Sequence, residues 1–200
     1  MRIPIFKLSK KIKNNLVKLL KFLITEMVLF NKPKFKVDSW AGELFLYHGN
    51  LNKNEKQYKD KRFVGLCIGR RKHIREIQVD VGTKLPLPDQ CADAFQSQDV
   101  LEHLDPDKVI HALDEIYRVL KFNGFCRLSV PDYRSPLLKN RSVYDSYGNI
   151  LCDLGMGGKV SVEGLNSKVK VSISKDTGDN HLWFPTFERF NYFLKKSKLS

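Results

Sequence analysis

Apolar and polar positions are patterned most regularly between Leu85 and Asp132, where they predict a strand, a helix and a second strand in that order. Leu85-Pro86-Leu87-Pro88-Asp89 is an extended loop stiffened by its prolines. Ala92 to Gln98 follows as a short strand that ends in the polar Ser97, Gln98 and Asp99. Asp105-Pro106 predicts a helix start, because Asp can cap orphan N–H groups and Pro is tolerated at the first helical position. Val109, Ile110, Leu113, Ile116, Tyr117 and Leu120 recur at helical spacing as one apolar stripe. Asn123-Gly124 ends the helix, as a left-handed cap requires. Phe125 to Val130 is the second strand, stopped by Pro131-Asp132. This unit belongs to a parallel sheet covered by helices, an α/β fold. Ligands bind beyond the carboxyl ends of such strands. Asp99, Glu102, His103, Asp132 and Tyr133 therefore share one working edge.

On either side the pattern is sparser. Ile74 to Val79 is a short strand candidate, and Lys159–Glu163 with Lys168–Ile173 predicts a β-hairpin. Thr186 to Ser197 reads as a helix with Phe187, Phe190, Phe193 and Leu194 on one side. Residues 1–36 form a separate basic arm, and 37–200 form the domain, with 134–178 as an insertion or lid. The arm's apolar core, Leu16 to Phe30, carries Lys18, Lys21 and Glu26, which argues against a membrane span. A basic amphipathic helix remains, lying on a membrane surface or packed on the domain.

Charge changes this picture less than the total suggests. The net charge is +13, but residues 1–36 hold ten Lys/Arg against one acid, +9, which leaves +4 for the remainder. Nucleic acid is therefore not an expected partner. Cys67, Cys91, Cys126 and Cys152 are scattered, with no CxxC pair, so no zinc site is expected and a reducing cytoplasm is the simple reading.

The ordered run LPLPD…VLEH…EIYRVLKFNG…VPD resembles the second half of a class I S-adenosylmethionine-dependent methyltransferase. The resemblance implies a Rossmann-like, three-layer fold with a mostly parallel sheet. Relative to the family pattern, the cofactor half is shortened and the last two strands are lacking. The family opens with a strand and a loop of the form acidic-x-G-x-G-x-G. Phe63 to Gly69 is the best match, with Gly65 and Gly69 at the first and third glycines, Cys67 at the middle one and Phe63 at the acid. Fifteen residues then separate Gly69 from Leu85, so one βα unit is missing or collapsed. Asp80 is either the acid that holds the ribose or the acid before the Leu85 loop that contacts adenine; otherwise it is a turn acid. Gly65, Cys67, Gly69, Asp80, Leu85 and Asp99 are the implied cofactor-binding residues.

Glu102-His103 reproduces the family's "EH". His103 is a general base for the acceptor on one reading, and a brace for the following loop on the preferred one. His181, in Asp179-Asn180-His181-Leu182-Trp183, and Trp183 are acceptor-side candidates, although a core position is the commoner fate of a Trp. Tyr117 and Lys121 share the Y-x-x-x-K spacing of short-chain dehydrogenases but lack a matching glycine loop. The resemblance implies methyl transfer from S-adenosylmethionine to a small-molecule, glycan or lipid-linked acceptor, and the amphipathic arm adds peripheral membrane contact through residues 1–30 as an expectation. The alternative is a binding module without turnover. An oligomer covering the bare sheet edge is the other partner expected.

Overall fold

In the computed structural model the described residues are 14, 15, 17–19, 21, 35–69, 71, 73–163, 170–173 and 180–200. Most of the expected amphipathic arm lies outside them; residues 14, 15, 17–19 and 21 are helical and exposed. Among the described residues no helix is long and apolar enough to cross a membrane.

Five strands make the main sheet: β1 (Phe45–His48), β2 (Phe63–Cys67), β3 (Glu76–Gln78), β4 (Ala92–Gln98) and β5 (Leu120–Ser129). Their order is β3-β2-β1-β4-β5, and every pair is parallel. Parallel sheets are buried structures, so the inner strands read as apolar runs rather than alternations. Phe45, Leu46 and His48 of β1 and Val64 to Cys67 of β2 are all buried.

The long helix α2 (Pro106–Val119) follows the one-turn α1 (Lys56–Lys59) in the chain. It buries Val109, Ala112, Leu113, Ile116 and Val119 against Leu46, Val64, Leu66 and Phe95. The 3.6-residue period places these apolar side chains on one stripe. Two expectations change here. Tyr117 lies off the stripe and is exposed. The helix ends at Val119, not at Asn123-Gly124, because Leu120 already pairs with Ala92 of β4. Asn123 does take a left-handed conformation (φ 69°), but at the irregularity within β5 where the register jumps before Phe125.

Helix α3 (Pro136–Asn140) leads into the hairpin β6 (Ser142–Tyr144) and β7 (Ile150–Asp153), which the sequence pattern did not predict. The predicted hairpin is present as β8 (Val160–Glu163) and β9 (Lys170–Ile173), with its turn outside the described residues. Helix α4 (Phe187–Lys196) is capped by Thr186, whose hydroxyl accepts from the Arg189 N–H. Phe193 packs on Trp183 at 5.0 Å between ring centroids, which seats α4 on α2. Phe187 faces solvent, contrary to the expected stripe. The β1–β2 connection, 49–62, carries only the single turn α1. Along the outer edge of β5 no strand pairs among the described residues.

Candidate functional site

The placement of β1 corrects the sequence reading of the cofactor half. The strand at Phe63–Cys67 is the second strand, and the central strand is Phe45–His48. No strand is missing, since the chain has one more strand upstream than the glycine spacing suggested, but the β2–β3 and β3–β4 connections carry no helix among the described residues, the collapsed form of the two alternatives. The turn leaving β1 is Gly49-Asn50-Leu51-Asn52-Lys53, so only the first glycine of the family loop is present and Tyr47 stands at its acid. Gly49 has φ 128°, a conformation that favours glycine.

Gly65 lies inside β2 and acts through packing. A Cβ there would stand 2.7 Å from the Gly49 carbonyl oxygen and 3.2 Å from Leu51. Its bare backbone lets the β1 turn settle on the sheet. Glu76, almost wholly buried, holds that turn from below: its carboxylate accepts from the Leu51 N–H at 2.7 Å and the His73 N–H at 2.7 Å. Beside the turn is a cavity of about 480 Å3, lined by Asn50, Leu51, Lys53, Glu55, Tyr58 and His73 among others. Gly69 lies beyond β2 with open space around it and takes no part in the turn.

Cys67 is buried at the carboxyl end of β2, with its thiol toward the Ile77 carbonyl at 3.6 Å. Burial, and secondarily Glu76, pushes that thiol up to about 11, so it is neutral. Asp80 follows β3 at the carboxyl edge, where Oδ1 accepts from the Gly82 N–H at 2.9 Å and Lys108 stands 4.0 Å from Oδ2. Asp99 closes β4, exposed and left-handed at φ 51°.

Leu85 is a core residue. Its backbone is clamped by α2: Glu115 accepts from the Leu85 N–H, and Arg118 donates to the Leu85 and Leu87 carbonyls and to Asp89. Glu115 and Arg118 also pair with each other at 2.7 Å. A sequence signal existed for this clamp, an acid and an arginine three apart on a helix after a proline-rich loop, but it went unread.

The other half of the edge is more elaborate. The turn Leu101–His103 and the segment 180–183 are stitched together by three bonds. Leu182 N–H donates to the Glu102 carbonyl (2.8 Å), Trp183 Nε1 to the Leu101 carbonyl (2.8 Å), and His103 Nδ1 lies 3.0 Å from the Asn180 carbonyl. Trp183 is thereby a core residue, the commoner of its two expected fates. This stitching brings His181, buried, to His103 with ring centroids 4.8 Å apart.

His181 Nδ1 meets the Tyr133 hydroxyl at 2.6 Å, Tyr133 donates to Asp153 Oδ2 at 2.6 Å, and Arg141 Nε binds Asp153 at 2.7 Å. Burial alone would raise Asp153, but bonds from Tyr133, the Gly155 N–H and Arg141 outweigh it and hold the carboxyl below its ordinary value. Burial, and then the neighbouring His103, lowers His181 to about 4. Glu102 is completely buried, and neither carboxylate oxygen has a hydrogen-bond partner among the described residues. Burial, helped by the charge of Asp99, raises it to about 7. His103 and His181 are thus brought together as acceptor-side candidates, whereas the expected cofactor residues are spread over a core position, a strand interior and two turns.

Residues 49–128 match the model of a family described as a methyltransferase domain. Comparison with curated proteins gave no match. The matched segment starts at the turn after β1 and ends within β5, so it covers the carboxyl edge from Gly49 to the 102–103 turn. The match covers two fifths of the chain, and the parallel order β3-β2-β1-β4-β5 is that of a Rossmann-like methyltransferase fold, so both findings support a class I methyltransferase domain.

Proposed function

We propose that the domain transfers a methyl group from S-adenosylmethionine to an acceptor oriented over the carboxyl ends of β4 and β5. The observation that carries this reading is the cluster of Glu102, His103 and His181 at that edge, with a buried carboxylate that no group among the described residues satisfies. Buried polar groups without partners are rare and gather where a ligand is bound.

The residues present fit the cofactor at its two ends. The Gly49–Lys53 turn and its cavity suit the methionine end, with Lys53 as the cation for its carboxylate. Asp80, at the carboxyl end of the third strand, takes the adenine-side role of the two the sequence left open. At the ribose the fit is poor, because Cys67 offers a neutral thiol where the family has an acid. When bound, the cofactor supplies a methyl group on a sulfonium centre, which needs positioning more than acid–base help. Arg141, Asp153 and Tyr133 hold His181 in place, and the Asn180 carbonyl holds His103. The basic apolar arm supports a glycan or lipid-linked acceptor met at a membrane surface.

A second reading, a fold that binds without turnover, is favoured by Cys67 and by Leu51, which stands at the loop's middle glycine. Calorimetric titration with S-adenosylmethionine decides between them. Micromolar binding that Asp80→Ala abolishes supports transfer; no heat from a folded sample supports the second reading.

A further inference from the structure

The hydrogen-bond directions in the Glu102–His103–His181 cluster fix where its lone pairs point. The Asn180 carbonyl can only accept, so His103 Nδ1 carries the hydrogen and Nε2 is left with a lone pair. Tyr133 spends its hydroxyl hydrogen on Asp153, so its oxygen accepts from His181 Nδ1–H. His181 Nε2 is then also a lone-pair atom, and it stands 3.8 Å from Glu102 Oε1. That separation is beyond hydrogen-bond reach, so the histidine does not satisfy the carboxylate. With Glu102 ionised, three acceptor-bearing side chains face one another, and no described residue hydrogen-bonds either oxygen of the carboxylate. Such an arrangement is unfavourable unless a cation occupies the centre.

We propose that Glu102, His103 and His181 bind a divalent transition-metal ion, Zn2+ by preference. One ligand atom from each residue lies within 4.8 Å of the others. A closed tetrahedral site needs about 3.4 Å at zinc–ligand bonds of about 2.0–2.1 Å, a contraction that small side-chain rotations provide. Two imidazoles and a carboxylate are a zinc donor set and a poor magnesium one. With three protein ligands and His103 only half-buried, a fourth position remains open toward the edge.

The surroundings have the form that metal sites use. Ligating histidines donate their other ring N–H to a carbonyl or a carboxylate-linked group. His103 does so to the Asn180 carbonyl, and His181 through Tyr133 to Asp153, itself paired with Arg141. No CxxC pair marks this site in the sequence. The ligands come instead from two segments joined by the Leu182–Glu102 backbone bond.

The proposal goes beyond methyl transfer and does not rest on it. The test uses the full chain, stripped with a chelator and titrated with Co2+ and then Zn2+ in the absence of S-adenosylmethionine. The expected result is one Co2+ per chain with a tetrahedral visible spectrum, displaced by Zn2+, and a thermal midpoint raised by Zn2+ but not Mg2+. His103→Gln and Glu102→Gln are expected to weaken binding at least 100-fold, and Tyr133→Phe about 10–100-fold. His103, half-buried, is the variant least at risk of misfolding, and circular dichroism checks each one. Failure of the folded wild-type chain to take up Co2+, or undiminished uptake by folded His103→Gln, overturns the proposal. Either outcome leaves the methyl-transfer reading standing, because that is read by cofactor binding.

Discussion

The two halves of the sheet edge are held by different kinds of contact. Around β4 and β5, side chains reach across long stretches of sequence: Trp183 to the Leu101 carbonyl, His103 to the Asn180 carbonyl, His181 to Tyr133. Around β1 to β3, close backbone approach does the work, with the Gly49 turn resting on the bare Cα of Gly65 and pinned by Glu76. The first arrangement brings His103, His181 and Glu102 together and leaves the Glu102 carboxylate without a partner among the described residues. The second makes a turn with a single glycine, Gly49, held by Glu76. The candidate acceptor-side residues lie in the half that side chains organise, and packing dominates the other half.

This contrast predicts a graded set of responses. The largest is Trp183→Ala, which empties a buried site and unstitches the 101–103 turn. It should cost about 3–5 kcal/mol in chemical denaturation, and a loss under about 1 kcal/mol would break the view that this half depends on long-range side chains. Next comes Arg118→Ala, which strands the buried Glu115 and frees the Leu85–Asp89 loop; a loss of about 2–3 kcal/mol is expected from the same measurement.

A pair of glycine substitutions sharpens the other side of the comparison. Gly65→Ala forces a Cβ against backbone that cannot give way and should cost about 1–3 kcal/mol. Gly69→Ala meets nothing and should stay within about 0.5 kcal/mol of wild type. Equal effects would return Gly69 to the role the sequence suggested for it.

A further prediction concerns pH, where the effect within any one unit is small and accumulates only on deep acidification. His48, buried at the end of β1 with Nδ1 2.9 Å from the Ser97 hydroxyl, is lowered by burial from 6.5 to about 3. Between those values the unfolded chain binds the proton and the folded chain does not. Stability is therefore full above pH 6.5 and falls with acidification by about 1.4 kcal/mol per unit until pH 3 is neared. His48→Asn should flatten that slope in urea titrations at successive pH values; an unchanged slope would remove His48 as its cause.

Much of β4, α2, the β8–β9 hairpin and α4 was legible, because each has a buried and an exposed face and so a periodic pattern. The central strand was not. Phe45, Leu46 and His48 are all buried, which erases alternation, and the Gly65…Gly69 spacing drew the glycine loop one strand too late. His103 and His181 were each readable as candidates, but their meeting depends on the Leu182–Glu102 bond, which no local pattern encodes. Asp153 and Arg141 went unread with the β6–β7 hairpin. The signal available there was the Asp145…Gly148-Asn149 turn between two short apolar runs.

The most direct test of the account is hydrogen–deuterium exchange with and without S-adenosylmethionine. The account predicts added protection at 49–54 and around Asp80, with none at Ile68-Gly69. Protection confined to 65–69, or none anywhere in a folded sample, would contradict it.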